Sequence, residues 1–252
     1  MRNRRSFLKL AALSAFGMAL GSGIPRAQAA AVYGKGEQAL SAGRWGMVID
    51  MRKLDLPARI EAVIAACHKE HNVPDVPAPQ DVKWLWTDSY DRVFPDVVNE
   101  YAPDAVAKRP YFLLCNHCAN PACVRVCPTG ATYSRPDGIV AMDYHRCIGC
   151  RFCMAGCPYG ARSFNFFDPQ LYLKETNPAF PRRTIGVVEK CTFCTERLAE
   201  GRLPACVEAS DGALLFGNLQ NPSSTVRQAL ASSYAIRRRP SLGTQPSVYY
   251  LI

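Results

Sequence analysis

Cys147-Ile148-Gly149-Cys150-Arg151-Phe152-Cys153-Met154-Ala155-Gly156-Cys157-Pro158 is the stretch on which the fold turns: three cysteines fall within seven residues, a fourth follows, and a proline closes the run. Thiolates this dense suit an inorganic iron–sulfur cube, in which one tight loop covers three corners and the fourth cysteine leaves on a helix towards a neighbouring cube. Pairs of cubes therefore need pairs of motifs. The partner run lies just upstream as Cys115-x2-Cys118-x4-Cys123-x3-Cys127-Pro128. Each closing proline lacks the N–H that would continue a helix and redirects the chain. Gly149 and Gly156 are expected to let the backbone approach inorganic sulfur, so that amide N–H groups point at a negative cluster.

A third group, Cys191-x2-Cys194-x11-Cys206, closes the series and leaves Cys67 alone upstream, for twelve cysteines in all. Crossed ligation assigns Cys115, Cys118, Cys123 and Cys157 to a first cluster, and Cys147, Cys150, Cys153 and Cys127 to a second. The four that remain, Cys191, Cys194, Cys206 and Cys67, make a third. The last motif lacks its own reciprocal cysteine, because Ser210 stands where one is expected. Twelve cysteines thus fill three [4Fe-4S] clusters with none left over. Structural zinc favours separated C-x2-C pairs over this run, and disulfides between cysteines so close in sequence would close short, strained loops. His68, His117 and His145 lie near the motifs, but cysteine already fills every ligand slot, which leaves them supporting or surface roles.

The chain has 252 residues, 48% of them hydrophobic, enough to bury a core in one or two domains and too apolar for disorder. Arg4-Arg5 precede an apolar run from Leu10 to Leu20 and the small-x-small site Ala27-Gln28-Ala29, the pattern of a cleaved twin-arginine export signal; a retained N-terminal anchor is the alternative. Removing residues 1–29 deletes five positive charges, so 25 minus 21 leaves +4 instead of +9. A nucleic-acid partner loses its main support. Export predicts a periplasmic protein whose cofactor is inserted beforehand, where thiols stay reduced. No run after the leader is long and apolar enough to span a bilayer, so membrane contact is expected through a partner. Arg237-Arg238-Arg239 is expected to be a solvated or docking surface.

The second run matches the bacterial ferredoxin pattern, and from about Trp45 to Ile252 the chain resembles the ferredoxin-like electron-transfer subunits of exported and membrane-associated oxidoreductases, the family of the dimethyl-sulfoxide, tetrathionate and hydrogenase subunits. The resemblance rests on Met47-Val48-Ile49-Asp50, Cys115-Asn116-His117-Cys118-Ala119-Asn120-Pro121-Ala122-Cys123, Asp137-Gly138-Ile139-Val140, Val188-Glu189-Lys190-Cys191-Thr192-Phe193-Cys194 and Leu242-Gly243-Thr244-Gln245-Pro246. Within the family, Ala66-Cys67-His68-Lys69-Glu70-His71-Asn72-Val73-Pro74, Trp84-Leu85-Trp86 and Arg109-Pro110-Tyr111-Phe112 are most similar to periplasmic subunits of dissimilatory sulfur metabolism. The four-cluster pattern would put cysteines at Pro57, Ile60 and Val63, so this chain departs from it at the fourth cluster alone. The resemblance implies a relay subunit without a catalytic site, placed between an integral-membrane quinone-interacting subunit of the NrfD type and a multihaem cytochrome c or other redox subunit. Its nearest rival is the electron-transfer subunit of an exported molybdopterin oxidoreductase or hydrogenase; a zinc-binding structural module is the remote one.

The expected fold class is α+β: a pseudo-symmetric pair of ferredoxin-like halves with coil-rich insertions, small strands and short helices. Residues 1–29 form the signal, 30–111 an N-terminal segment with the degenerate first motif and a partner-facing insertion, 112–183 a ferredoxin-like domain, and 184–252 the third motif and C-terminal tail. Pro57 opens a helix whose Ile60, Val63, Ile64 and Cys67 share one face. Prolines at 74, 77, 79, 95, 103 and 110 predict an irregular flap over 74–110, in which Trp84 and Trp86 serve as an interface anchor or as local core. A hairpin is expected over 133–143, strands near 161–167 and 213–216, a helix over 192–201 ending at Gly201, and a helix capped by Ser223 or Ser224 running to Tyr234.

Overall fold

The computed structural model describes residues 37–54 and 56–252; the stretch in which an export signal and cleavage site are expected lies outside them. In chain order the regular elements are β1 (Trp45–Asp50), α1 (Pro57–Glu70), β2 (Leu85–Asp88), α2 (Tyr90–Val93), α3 (Asp104–Ala107), β3 (Tyr111–Leu114), α4 (Ala122–Arg125), β4 (Thr132–Ser134), β5 (Val140–Met142), α5 (Phe152–Ala155), β6 (Ser163–Phe164), β7 (Val188–Glu189), α6 (Thr195–Ala199), α7 (Ala205–Glu208), β8 (Leu214–Asn218), α8 (Thr225–Ser232), β9 (Ala235–Ile236) and β10 (Val248–Leu251). This is a mixture of short helices and small sheets. Among the described residues no helix is long and apolar enough to cross a membrane.

The largest sheet has the order β8-β1-β10-β9, with β1 parallel to β10 and antiparallel to β8. Strand β1 is central because all six of its residues are buried and its alternate side chains serve two cores. Met47 and Ile49 face the main core, while Val48 packs with Val226 and Leu251 beneath α8. Residues near both ends of the chain therefore share one sheet. Three two-stranded sheets, β2-β3, β4-β5 and β6-β7, complete the architecture.

Helix α1 starts with Pro57 in its first turn and buries Ile60, Val63 and Cys67, as the periodicity predicts. It packs against α7, just as α4 packs against α5. The expected hairpin forms, with Thr132 opposite Met142 and Ser134 opposite Val140. The helix expected over 192–201 is shorter, because Phe193 and Cys194 take left-handed φ values of 55° and 51° and curl the preceding loop. The Ser224 hydroxyl caps α8 by accepting from the Arg227 amide at 3.4 Å, and that helix stops at Ser232. The strand near 161–167 contracts to its two paired residues in β6.

Two expectations change. Segment 74–110 is not simply a flap: β2 pairs with β3, and Val76, Val82, Trp84, Leu85, Val93 and Phe94 are all buried. Trp84 is core, and its exposed apolar residues are instead Val97, Val98 and Tyr101. Nor is the triple-arginine run a solvated surface. Arg238 is buried, donates to the carbonyls of Val93 and Tyr159, and lies over the Tyr159 ring.

Candidate iron–sulfur centres

All twelve cysteines are free thiols within the described residues, and the spacing predicts three sets of four among them. Cys127, Cys147, Cys150 and Cys153 line one cavity, together with Thr129, Ile148 and Arg151. Loop geometry makes that cavity. Gly149 has φ +70°, and a Cβ there would meet the Gly186 carbonyl oxygen, so only glycine fits. Gly156 has a different duty from the one expected of it, since a Cβ there would press on Val126, where α4 meets α5. Burial works against the Cys127 thiolate, but the amides of Thr132, Thr129 and Ala131 and the Thr129 hydroxyl outweigh it and lower its pKa.

The second set is Cys115, Cys118, Cys123 and Cys157. Burial pushes the Cys118 thiol up to about 12, with Cys115, Cys123 and Cys157 all near enough to add repulsion. Cys157 is raised by burial and by Cys115 and Cys123. In the third set, burial raises Cys67 and Cys194 well above the ordinary thiol range, and the charges of Cys206 and Cys191 act on both. Burial likewise takes Cys206 to about 12. Charge effects run between the sets: Cys115 acts on Cys191, and Cys123 acts on Cys153.

Twelve thiols without a disulfide, eleven of them buried or half-buried and only Cys150 exposed, fit a metal–sulfur group, because thiolate ligation offsets the burial that otherwise keeps them protonated. Orphaned polar atoms give independent support. Asn116 Nδ2, His117 Nε2, Arg162 Nη2 and Thr192 Oγ1 are buried without hydrogen-bond partners, all in or beside cysteine motifs, as donors to inorganic sulfide would be. His117 has a positive φ, stacks on Phe193 at 3.7 Å and accepts the Val140 amide at Nδ1. Burial holds it well below its usual pKa, in the neutral form. His68 is half-buried and faces the Leu85 carbonyl, whereas the His145 side chain is fully exposed.

Residue-type spacing missed the supports of the third set. His71, one turn beyond Cys67 on α1, places Nδ1 2.8 Å from the Cys67 carbonyl and Nε2 2.7 Å from Glu196 Oε1. Its i+4 offset from Cys67 was the available signal. Lys190, buried beside Cys191, donates to the Cys191 carbonyl at 2.7 Å and to that of Val140. At the expected fourth site, Ile60 and Val63 are buried apolar residues, and Ser210 Oγ donates to Val207 O and accepts from the Leu214 amide. That position is closed by side chains and satisfied hydrogen bonds.

Fold and thiol sets together define an iron–sulfur protein of the ferredoxin-like kind. Residues 110–168 match the model of a 4Fe-4S dicluster domain. The chain is 41% identical to the Hdr-like menaquinol oxidoreductase iron-sulfur subunit 1 of Archaeoglobus fulgidus, over 99% of this chain and 98% of that one. It is 41% identical to the menaquinone reductase iron-sulfur cluster-binding subunit of Nitratidesulfovibrio vulgaris, over 82% and 88%. A tetrathionate reductase subunit of Salmonella typhimurium is 45% identical over 55% and 50%. The chain belongs to this family of iron–sulfur electron-transfer subunits of membrane-associated oxidoreductases.

Proposed function

We propose that the protein is a periplasmic relay carrying three [4Fe-4S] clusters, exported by the twin-arginine route, which passes electrons between a membrane quinone-interacting subunit and a multihaem cytochrome c or other redox subunit. When bound, each cluster supplies a one-electron couple. The chain's own residues position and tune: Cys115, Cys118, Cys123 and Cys157 hold the first, Cys147, Cys150, Cys153 and Cys127 the second, and Cys191, Cys194, Cys206 and Cys67 the third. The single observation that carries this reading is the gathering of twelve free thiols into three adjoining sets of four.

The α4–α5 and α1–α7 pairs support a reading of the fold as two pseudo-symmetric halves, the second having lost one of its two sites. The protein has no substrate-converting site of its own in this reading. A quinone-linked partner is supported by the menaquinol oxidoreductase relative, which is matched over 99% of this chain, against 82% for the selenate reductase relative. The phrases around Cys67, Trp84 and Arg109 support a likeness to DsrO, the ferredoxin-like subunit of the DsrMKJOP complex of sulfur metabolism, with DsrP-like and DsrJ-like partners.

Purification from membranes tests this. Recovery with a quinone-binding membrane protein and a cytochrome c, with about twelve iron atoms per chain, is the expected result. Recovery with a molybdopterin subunit and no cytochrome would favour the second reading, an electron-transfer subunit of an exported molybdenum reductase. A selenate reductase subunit of Mesobacillus selenatarsenatis, 36% identical over 82% of this chain, supports that reading.

A further inference from the structure

Arg162 is 4% exposed, and its hydrogen bonds run to uncharged groups: Nη1 donates to Thr132 Oγ1 at 3.1 Å and lies 3.8 Å from Met142 Sδ. Its Nη2 is buried and has no partner. A buried guanidinium without a compensating anion is strongly unfavourable, so the fold must supply negative charge that protein carboxylates do not. The groups around it are cysteines. The two side chains it reaches, Thr132 and Met142, line the cavity of Cys127, Cys147, Cys150 and Cys153, and although burial opposes its charge, the charges of Cys123, Cys115 and Cys153 outweigh it. The guanidinium therefore sits at the junction between the Cys115 set and the Cys147 set.

We propose that Arg162 is the shared counter-charge of these two centres and holds both reduction potentials above the values they would have without it. This rests on the reading that the cysteine sets hold iron–sulfur cubes. One-electron reduction adds a negative charge to a centre already ringed by thiolates, so a fixed cation stabilises the reduced form more than the oxidised form. Burial strengthens the effect by excluding water. No proton transfer is needed for the balance. In the third set it is Lys190 that lies beside a ligand, donating to the Cys191 carbonyl at 2.7 Å. Arg162 is accordingly a positioning and tuning residue for two centres out of three.

The test is a redox titration of the purified full-length, cluster-loaded protein followed by electron paramagnetic resonance, comparing wild type with Arg162→Gln and Arg162→Lys. At the potential that half-reduces the two wild-type centres, Arg162→Gln should lower their reduced-to-oxidised ratio about tenfold, equivalent to about 59 mV for one electron, and leave the third centre where it was. Arg162→Lys should restore most of the shift. Unchanged potentials at full iron content, or equal shifts in all three centres, would overturn the proposal. If Arg162→Gln loses iron, Arg162→Lys decides alone: wild-type iron content and potentials uphold the counter-charge, and a full loss of either rejects it. A wild-type protein without iron would instead remove the reading beneath it.

Discussion

Trp84 and Glu189, 105 residues apart in sequence, meet in a 2.7 Å hydrogen bond from the indole Nε1 to carboxylate Oε2, with both side chains fully buried. The same oxygen takes Arg183 Nη2 at 2.7 Å, and the Arg183 guanidinium lies over the Trp84 ring. Asn165 Nδ2 donates to the other carboxylate oxygen. This network fastens the 74–110 segment to β7, next to the loop that carries Cys191.

Breaking that network leaves a buried charge without its partner. Glu189→Gln should destabilise the protein by about 3–5 kcal/mol, and Trp84→Phe by about 1–3 kcal/mol, because only one donor is lost. Denaturant unfolding of the cluster-loaded protein measures both. A Glu189→Gln variant as stable as wild type would show that the ion pair is not uncompensated when broken.

Cys67→Ser should remove one centre and spare two. Cys67 is the single member of its set that comes from α1, and its thiol lies in the field of Cys206 and Cys191. Iron analysis should fall from about twelve to about eight atoms per chain, with two paramagnetic signals kept. Three unaltered signals would reject the assignment of Cys67.

Cluster assembly should release protons and become more favourable with rising pH. Burial raises the free thiols of Cys118 and Cys206 to about 12 and those of Cys67 and Cys194 beyond the ordinary range, whereas ligands must be thiolates. Reconstitution of the iron-free protein followed at pH 7 and pH 9 should be more complete at pH 9. The set containing Cys67 should show the steepest dependence, and the set containing Cys127, whose pKa is lowered, the shallowest.

Ser210→Cys should not create a fourth centre. The Ser210 hydroxyl bonds Val207 O at 2.7 Å and the Leu214 amide at 3.0 Å, while Ile60 and Val63 fill the positions where the other ligands would stand. The variant should keep its iron content and lose about 1–3 kcal/mol of stability from the disrupted hydrogen bonds. A gain of iron in this single variant would contradict the closed site.

His68 gives a pH dependence of the opposite origin. Burial lowers its pKa from 6.5, so below pH 6.5 the unfolded chain binds a proton that the folded chain refuses. Its contribution is complete above pH 6.5 and declines as pH falls towards the folded value. His68→Gln should flatten the slope of unfolding free energy between pH 6.5 and pH 5, measured by denaturant titration.

The iron–sulfur character of residues 110–168 was written in the chain itself, because cysteine spacing within a tight loop is a local property. The dicluster motif, the Cys67 helix, the 133–143 hairpin and the Ser224 cap all follow from residues a few positions apart. Tertiary structure alone decided what stands between the thiol sets and how the insertion is used. Burial of Trp84 against Glu189, the closeness of Gly156 to Val126 and the reach of Arg162 to Thr132 and Met142 each depend on residues distant in sequence, whose meeting no spacing encodes. Potentials and packing arise from such non-local contacts in a low-dielectric interior, and there only the folded chain fixes which charge meets which thiol.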